Sequence, residues 1–250
     1  MTVGKANCLV CGKPIVYWEE AQEVTCVICG KKEFGHCVCE DGHYVCDLCH
    51  RSEGVDYIMG LCSGSNSTDP IEIMIEAMND KSIYPNGPEH HTLVGAALLT
   101  AYANAGGQFP NGMDKDAALA ELKKRSLQVP GGTCGFWGTC GAAVSAGQAM
   151  SVINGSSPMA QEAWAQCQRL TSQILARLAD IGGPRCCKRT GFISVITAVP
   201  YIDMLMGANM QLPEKVTCTF FPNNAECRRS ECPFFPNADP DVAAKYQPGA

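Results

Sequence analysis

Residues 8–49 read CLVCGKPIVYWEEAQEVTCVICGKKEFGHCVCEDGHYVCDLC. Four cysteine pairs stand in this stretch: Cys8-x-x-Cys11, Cys26-x-x-Cys29, Cys37-x-Cys39 and Cys46-x-x-Cys49. A two-residue gap lets both sulfurs of a turn reach one ion, and eight thiolates suffice for two tetrahedral four-cysteine zinc sites. Gly12 and Gly30 follow two of the pairs, where a tight turn crowds the backbone. The expectation is a zinc ribbon over residues 1–52 holding two zinc ions, with short β-like runs at Ile15–Trp18 and His43–Val45. So small a domain has little core, and metal supplies the staple. Two pairings stay open. Cys8 and Cys11 join Cys26 and Cys29 in sequence, or the pairs interleave. His36, His43 or His50 can replace a cysteine. Closed sites of this kind hold a fold or present a docking surface to a protein partner. Cys46-Asp-Leu-Cys49-His50 also matches a c-type haem attachment motif, a reading that the lack of an export signal disfavours.

Beyond this stretch the cysteines fall into two populations. Nine lie in residues 1–62, none in 63–133, and eight in 134–232. Residues 53–68, ending in SGSNST, read as a linker, and residues 69–250 as a mostly helical, cysteine-rich domain. The fold class expected is therefore mainly α, preceded by a metal-stapled β module. Asp69 and Pro70 open a helix running to about Asn79. A second runs from Pro88 through Tyr102 to Gly106-Gly107, and a third is capped by Asp114. Ser157-Pro158 opens a fourth, ended by Gly182-Gly183. Residues 191–208 form another, with Pro200 as a kink. Residues 131–153 are crowded with glycine and alanine, so a neighbouring helix, backbone or bound group comes close there. The tail after about 209 reads as irregular.

The second cysteine set comprises Cys134, Cys140, Cys167, Cys186, Cys187, Cys218, Cys227 and Cys232, and none of its pairs has zinc-knuckle spacing. Scattered thiolates, one followed by a proline, suit an iron–sulfur cluster. Cys134, Cys140, Cys186 or Cys187, Cys218, Cys227 and Cys232 are expected to converge on one site. A redox dithiol, Cys134 with Cys140 or Cys186 with Cys187, is the alternative, as are inert buried thiols, for which Cys167 is the best candidate. Arg185, Lys188 and Arg189 offset cluster charge or lower thiol pKa values. Glu89, His90 and His91, at a helix start, are candidates for moving protons or binding metal.

The segments EHHTLVGAALLTAY (residues 89–102), VPGGTCGFWGTCGAA (129–143) and CCKRTGFISV (186–195) resemble an uncharacterised cysteine-rich family of anaerobic bacteria and archaea. The resemblance covers roughly residues 60–235. It implies an anaerobic, thiol-rich setting, and some members are joined to, or labelled as, S-adenosylmethionine-dependent methyltransferases. No glycine-rich nucleotide loop follows a strand in this sequence.

The formal net charge of −6 argues against a broad nucleic-acid-binding face. Arg185, Lys188 and Arg189, and the pair Arg228 and Arg229, are the local basic groups. No run of 18 apolar residues occurs, so no membrane span is expected. The start MTVGKANCLV lacks the pattern of an export signal, and a cytosolic location is expected. In a reducing compartment this many cysteines point to metal or redox chemistry rather than disulfides. The functional expectation is a redox or sulfur-transfer enzyme acting on a small molecule, with catalytic candidates Cys134, Cys140, Cys186, Cys187, His90, His91 and Glu89. The alternatives are a ribbon docking or cluster-carrier protein and an accessory of a methyltransferase system.

Overall fold

The computed structural model describes residues 8–249. The first seven residues, which carry most of the argument about an export signal, lie outside them. The chain divides into two compact units, Met1–Glu53 and Gly54–Ala250.

The first unit is an antiparallel hairpin of β1 (Ile15–Thr25) and β2 (Lys32–Cys39), paired from Ile15 opposite Cys39 to Thr25 opposite Lys32. An irregularity between Tyr17 and Gln22 interrupts the ladder. Residues 43–45 form no strand, but Tyr44 bridges to Cys26. The two CxxC turns are near copies. Gly12 and Gly30 take left-handed φ values of 73° and 74° and donate to Cys8 O and Cys26 O at 2.8 and 2.9 Å. Only glycine adopts that conformation without cost.

Residues 53–68, expected as a linker, are mostly helix. α1 (Asp47–Gly64) begins in the first unit, and its later turns belong to the second. Val55, Ile58 and Cys62, at i, i+3 and i+7, are buried. This apolar stripe outweighs the glycine and serine content that suggested a linker.

The second unit is mainly α: α2 (Pro70–Met78), α3 (His90–Asn104), α4 (Lys115–Ser126), α5 (Thr133–Phe136), α6 (Gly141–Ile153), α7 (Glu162–Ile181), α8 (Cys187–Met206) and α9 (Pro240–Ala243). Asp69 caps α2, accepting from Ile71 N at 2.8 Å, and Asp114 caps α4, accepting from Ala117 N at 2.8 Å. α7 starts later than its Ser157-Pro158 signal, since residues 157–161 turn instead. Pro200 lies within α8.

α3 is apolar on every side and buried from His90 to Tyr102, with α2, α4, α6 and α8 packed around it. A helix without a polar face belongs at the centre. Its partner α6 supplies the glycine and alanine noted in the sequence. A Cβ on Gly95 would lie 2.8 Å from both Ser145 Oγ and Leu122 Cδ1. The small residues therefore admit neighbouring helices. The tail is pinned by Gln247, whose Oε1 accepts from Val216 N at 2.8 Å and whose Nε2 donates to Pro233 O at 2.8 Å. Phe234 packs edge-on against Phe192 of α8, with ring centroids 5.3 Å apart. Among the described residues, no helix is long and apolar enough to cross a membrane.

Candidate metal sites and a cysteine-lined pocket

The hairpin brings two sets of ligand atoms together, Cys8, Cys11, Cys39 and His43, and Cys26, Cys29, Cys46 and Cys49. Within each set the atoms all lie within 4.8 Å of one another. The order along the chain is interleaved, and the hairpin explains it. Cys8 and Cys11 precede β1 and meet Cys39 at the end of β2, while Cys26 and Cys29 occupy the connection between the strands. The bridge of Cys26 to Tyr44 carries the chain back to that opposite end, where Cys46 and Cys49 follow.

Cys37, expected as the eighth thiolate, falls outside both sets, and His43 stands in its place. Cys37 lies further back on β2, opposite Tyr17, and its sulfur belongs to neither set. The turn after Cys39 succeeds because Gly42 takes a φ of 78° and Cys39 N donates to His43 O at 3.0 Å. Cys11 Sγ lies 3.7 Å from Cys39 Sγ, and Cys29 Sγ lies 3.7 Å from Cys46 Sγ. Burial opposes ionisation of Cys26, but N–H groups of Cys46, Cys29 and Ile28 outweigh it and bring the thiol down to about 6. Leu9, Val10, Val27 and Ile28, between the paired cysteines, are exposed.

In the second unit, Cys186, Cys218, Cys227 and Cys232 line one small cavity, whose wall includes Phe192, Phe220, Phe221, Phe234 and Phe235. Cys186 sits at the N-cap of α8, and the other three come from the irregular tail. The tail cysteines share one device: the amide two residues onward faces the sulfur. Arg229 N donates to Cys227 Sγ at 3.4 Å, and the amides of Phe220 and Phe234 favour the thiolates of Cys218 and Cys232. Val10 N and Cys8 Sγ, 3.4 Å apart in the ribbon, repeat the pattern. Asn224 Nδ2 donates to Cys186 Sγ at 3.5 Å. Burial nonetheless pushes the Cys218 thiol up to about 11 and raises that of Cys232.

Lys188 and Arg189 line the same cavity and are buried, each 3% exposed, so neither contributes to a basic surface patch. Arg189 Nη2 donates to Gly182 O and Pro184 O, while its buried Nε has no hydrogen-bond partner. Burial pushes Lys188 down to about 8, against the pull of Glu89. His90 is lowered first by burial and then by the Lys188 charge.

Cys134, Cys140 and Cys187 do not line this cavity. Cys134 is exposed, next to exposed Phe136 and Trp137. Cys140 occupies the N-cap position of α6 without a side-chain capping hydrogen bond, and burial raises its pKa. Cys187 is pushed up to about 12 by burial. Thiols so raised are poor nucleophiles at neutral pH. Cys167 is buried in the core cluster, with its sulfur 3.8 Å from Asn154 Oδ1. His91 lies with its ring over Gly141, where a Cβ would come within 2.2 Å of it, and its Nδ1 is 3.3 Å from Val129 O. The grouping of Cys186 with the tail cysteines had a trace in the sequence, the proline after Cys232. The i+2 amides had none, since they depend on the tail's backbone path.

The molecule is thus a helical protein with a cysteine-lined cavity, preceded by a hairpin whose interleaved cysteine and histidine groups could hold metal ions. Residues 58–235 match the model of a family of unknown function, DUF5714, and the chain belongs to that family. No curated protein and no solved structure matches it.

Proposed function

We propose that the second unit is a redox module that carries an iron–sulfur cluster on Cys186, Cys218, Cys227 and Cys232, and that the ribbon holds two structural zinc ions. The observation that carries this reading is the single cavity lined by four cysteines, three of which share the i+2 amide-to-sulfur turn. Such amides stabilise thiolate and tune cluster potential. Two buried cations and the orphaned Nε of Arg189 suit a bound anion. Sulfur spacing separates the two kinds of site. Tetrahedral zinc at 2.3 Å from each sulfur places sulfurs about 3.8 Å apart, close to the 3.7 Å found in the ribbon. No three of the cavity cysteines have sulfurs all within 4.8 Å of one another, so they do not form a set of the ribbon's kind.

A cubane cluster with four cysteine ligands has no iron left open, so electron transfer is favoured over binding of a substrate to iron. Sulfur transfer would need a reactive spare thiol, and Cys140 and Cys187 have the raised pKa values of protonated thiols.

Anaerobic reconstitution with iron and sulfide, followed by iron, sulfide and zinc analysis and a visible spectrum, tests the reading. The wild-type protein is expected to gain iron, sulfide and colour. Cys218→Ser and Cys227→Ser lose most of all three and keep their zinc, whereas Cys134→Ser keeps the cluster. A wild-type protein that binds zinc alone sinks the proposal.

A further inference from the structure

Behind the cavity wall runs a buried chain of three polar side chains. Glu89 and His90 are 0% and 1% exposed. Glu89 Oε1 lies 3.2 Å from His90 Nδ1, which is also 3.1 Å from Gly87 O. On the other side of the ring, His90 Nε2 lies 3.1 Å from Lys188 Nζ. An ammonium only donates, so Nε2 accepts and the ring proton sits on Nδ1, facing Glu89 and Gly87 O. Lys188 Nζ also donates to Tyr84 O at 2.9 Å. Two of its three N–H groups are thereby held from behind, and the ammonium lies 5.2 Å from the centre of the Phe220 ring on the cavity wall. Glu89 reaches its place because residue 87 is glycine; a Cβ there would come within 2.2 Å of its carboxylate.

We propose that Lys188 sets the reduction potential of the cluster, with His90 and Glu89 as positioning residues that fix its ammonium at the cavity wall. This rests on the cluster reading above. In the redox step the oxidised cluster takes one electron from a low-potential one-electron donor, and no bond forms or breaks. The added negative charge lies in a poorly solvated cavity, where a fixed positive charge favours the reduced form. Arg189 is tied to two carbonyls and serves as a constant background.

The test is an anaerobic potentiometric titration of the reconstituted full chain, with iron and sulfide content measured alongside. Lys188→Met is expected to keep the cluster and titrate at a more negative midpoint, and Lys188→Arg to return towards wild type. His90→Leu, which removes the acceptor, shifts the midpoint in the same direction by less, and His90→Gln recovers part of the shift. A Lys188→Met protein with full cluster content and an unchanged midpoint overturns this inference and leaves the cluster reading standing. Should Lys188→Met hold no cluster, an unshifted midpoint in His90→Leu overturns it instead. A wild-type protein that takes up no iron and sulfide overturns both.

Discussion

At Cys39 the strand ends and a tight turn begins, and this change of backbone decides which residue completes the first metal set. His43 lies four positions along a turn that doubles back, with Gly42 in the left-handed region. Cys37 lies back along β2, opposite Tyr17. The two residues therefore differ sharply in what their loss does. His43→Ala is expected to lower zinc content from two ions per chain to one, and Cys37→Ser to leave both. Metal analysis of the two variants checks this, and equal zinc in both would refute the assignment. The presence of paired ligands was legible from CxxC spacing alone. The exchange of cysteine for histidine was not, because it depends on the turn at Gly42 that brings His43 back to Cys39.

Among the elements, α3 and α6 show local preference and packing pulling in opposite directions. Replacing a glycine within a helix by alanine gains up to about 1 kcal/mol from propensity. At Gly95 the added methyl meets Leu122 and Ser145, each at 2.8 Å. Overpacking of this kind costs about 1–3 kcal/mol. Gly95→Ala is therefore expected to destabilise the second unit despite its better helix propensity, seen as a lower midpoint in thermal unfolding. A higher midpoint would show that α4 and α6 yield easily. The crowding of small residues in 131–153 was visible in the sequence; which helix occupies the space was decided by the arrangement around α3.

For the whole molecule, the two units draw stability from different sources. Among the described residues of the ribbon, the buried apolar side chains apart from Val24 are the candidate ligands Cys8, Cys26, Cys39 and Cys46. On the proposed zinc reading, its folding free energy is largely metal-binding free energy, about 10–16 kcal/mol per site in small zinc modules. The second unit has a continuous apolar core spanning α2 to α8. A zinc chelator is accordingly expected to open residues 8–46 to proteolysis while the helical circular dichroism of the second unit persists. Loss of the helical signal at the same chelator concentration would show that the units do not fold separately.

The sequence by itself determined the helical class, the caps at Asp69 and Asp114, and the candidate metal ligands among the CxxC pairs of residues 8–49. Each depends on spacing along a few turns of chain, where near neighbours dictate geometry. Only the tertiary structure decided between the two metal pairings, and separated Cys186, Cys218, Cys227 and Cys232 from Cys134, Cys140 and Cys187. Those features join residues that lie tens of positions apart in an irregular tail or across a hairpin. Their proximity follows from strand register and from the packing of the tail on α8, and no local pattern records either.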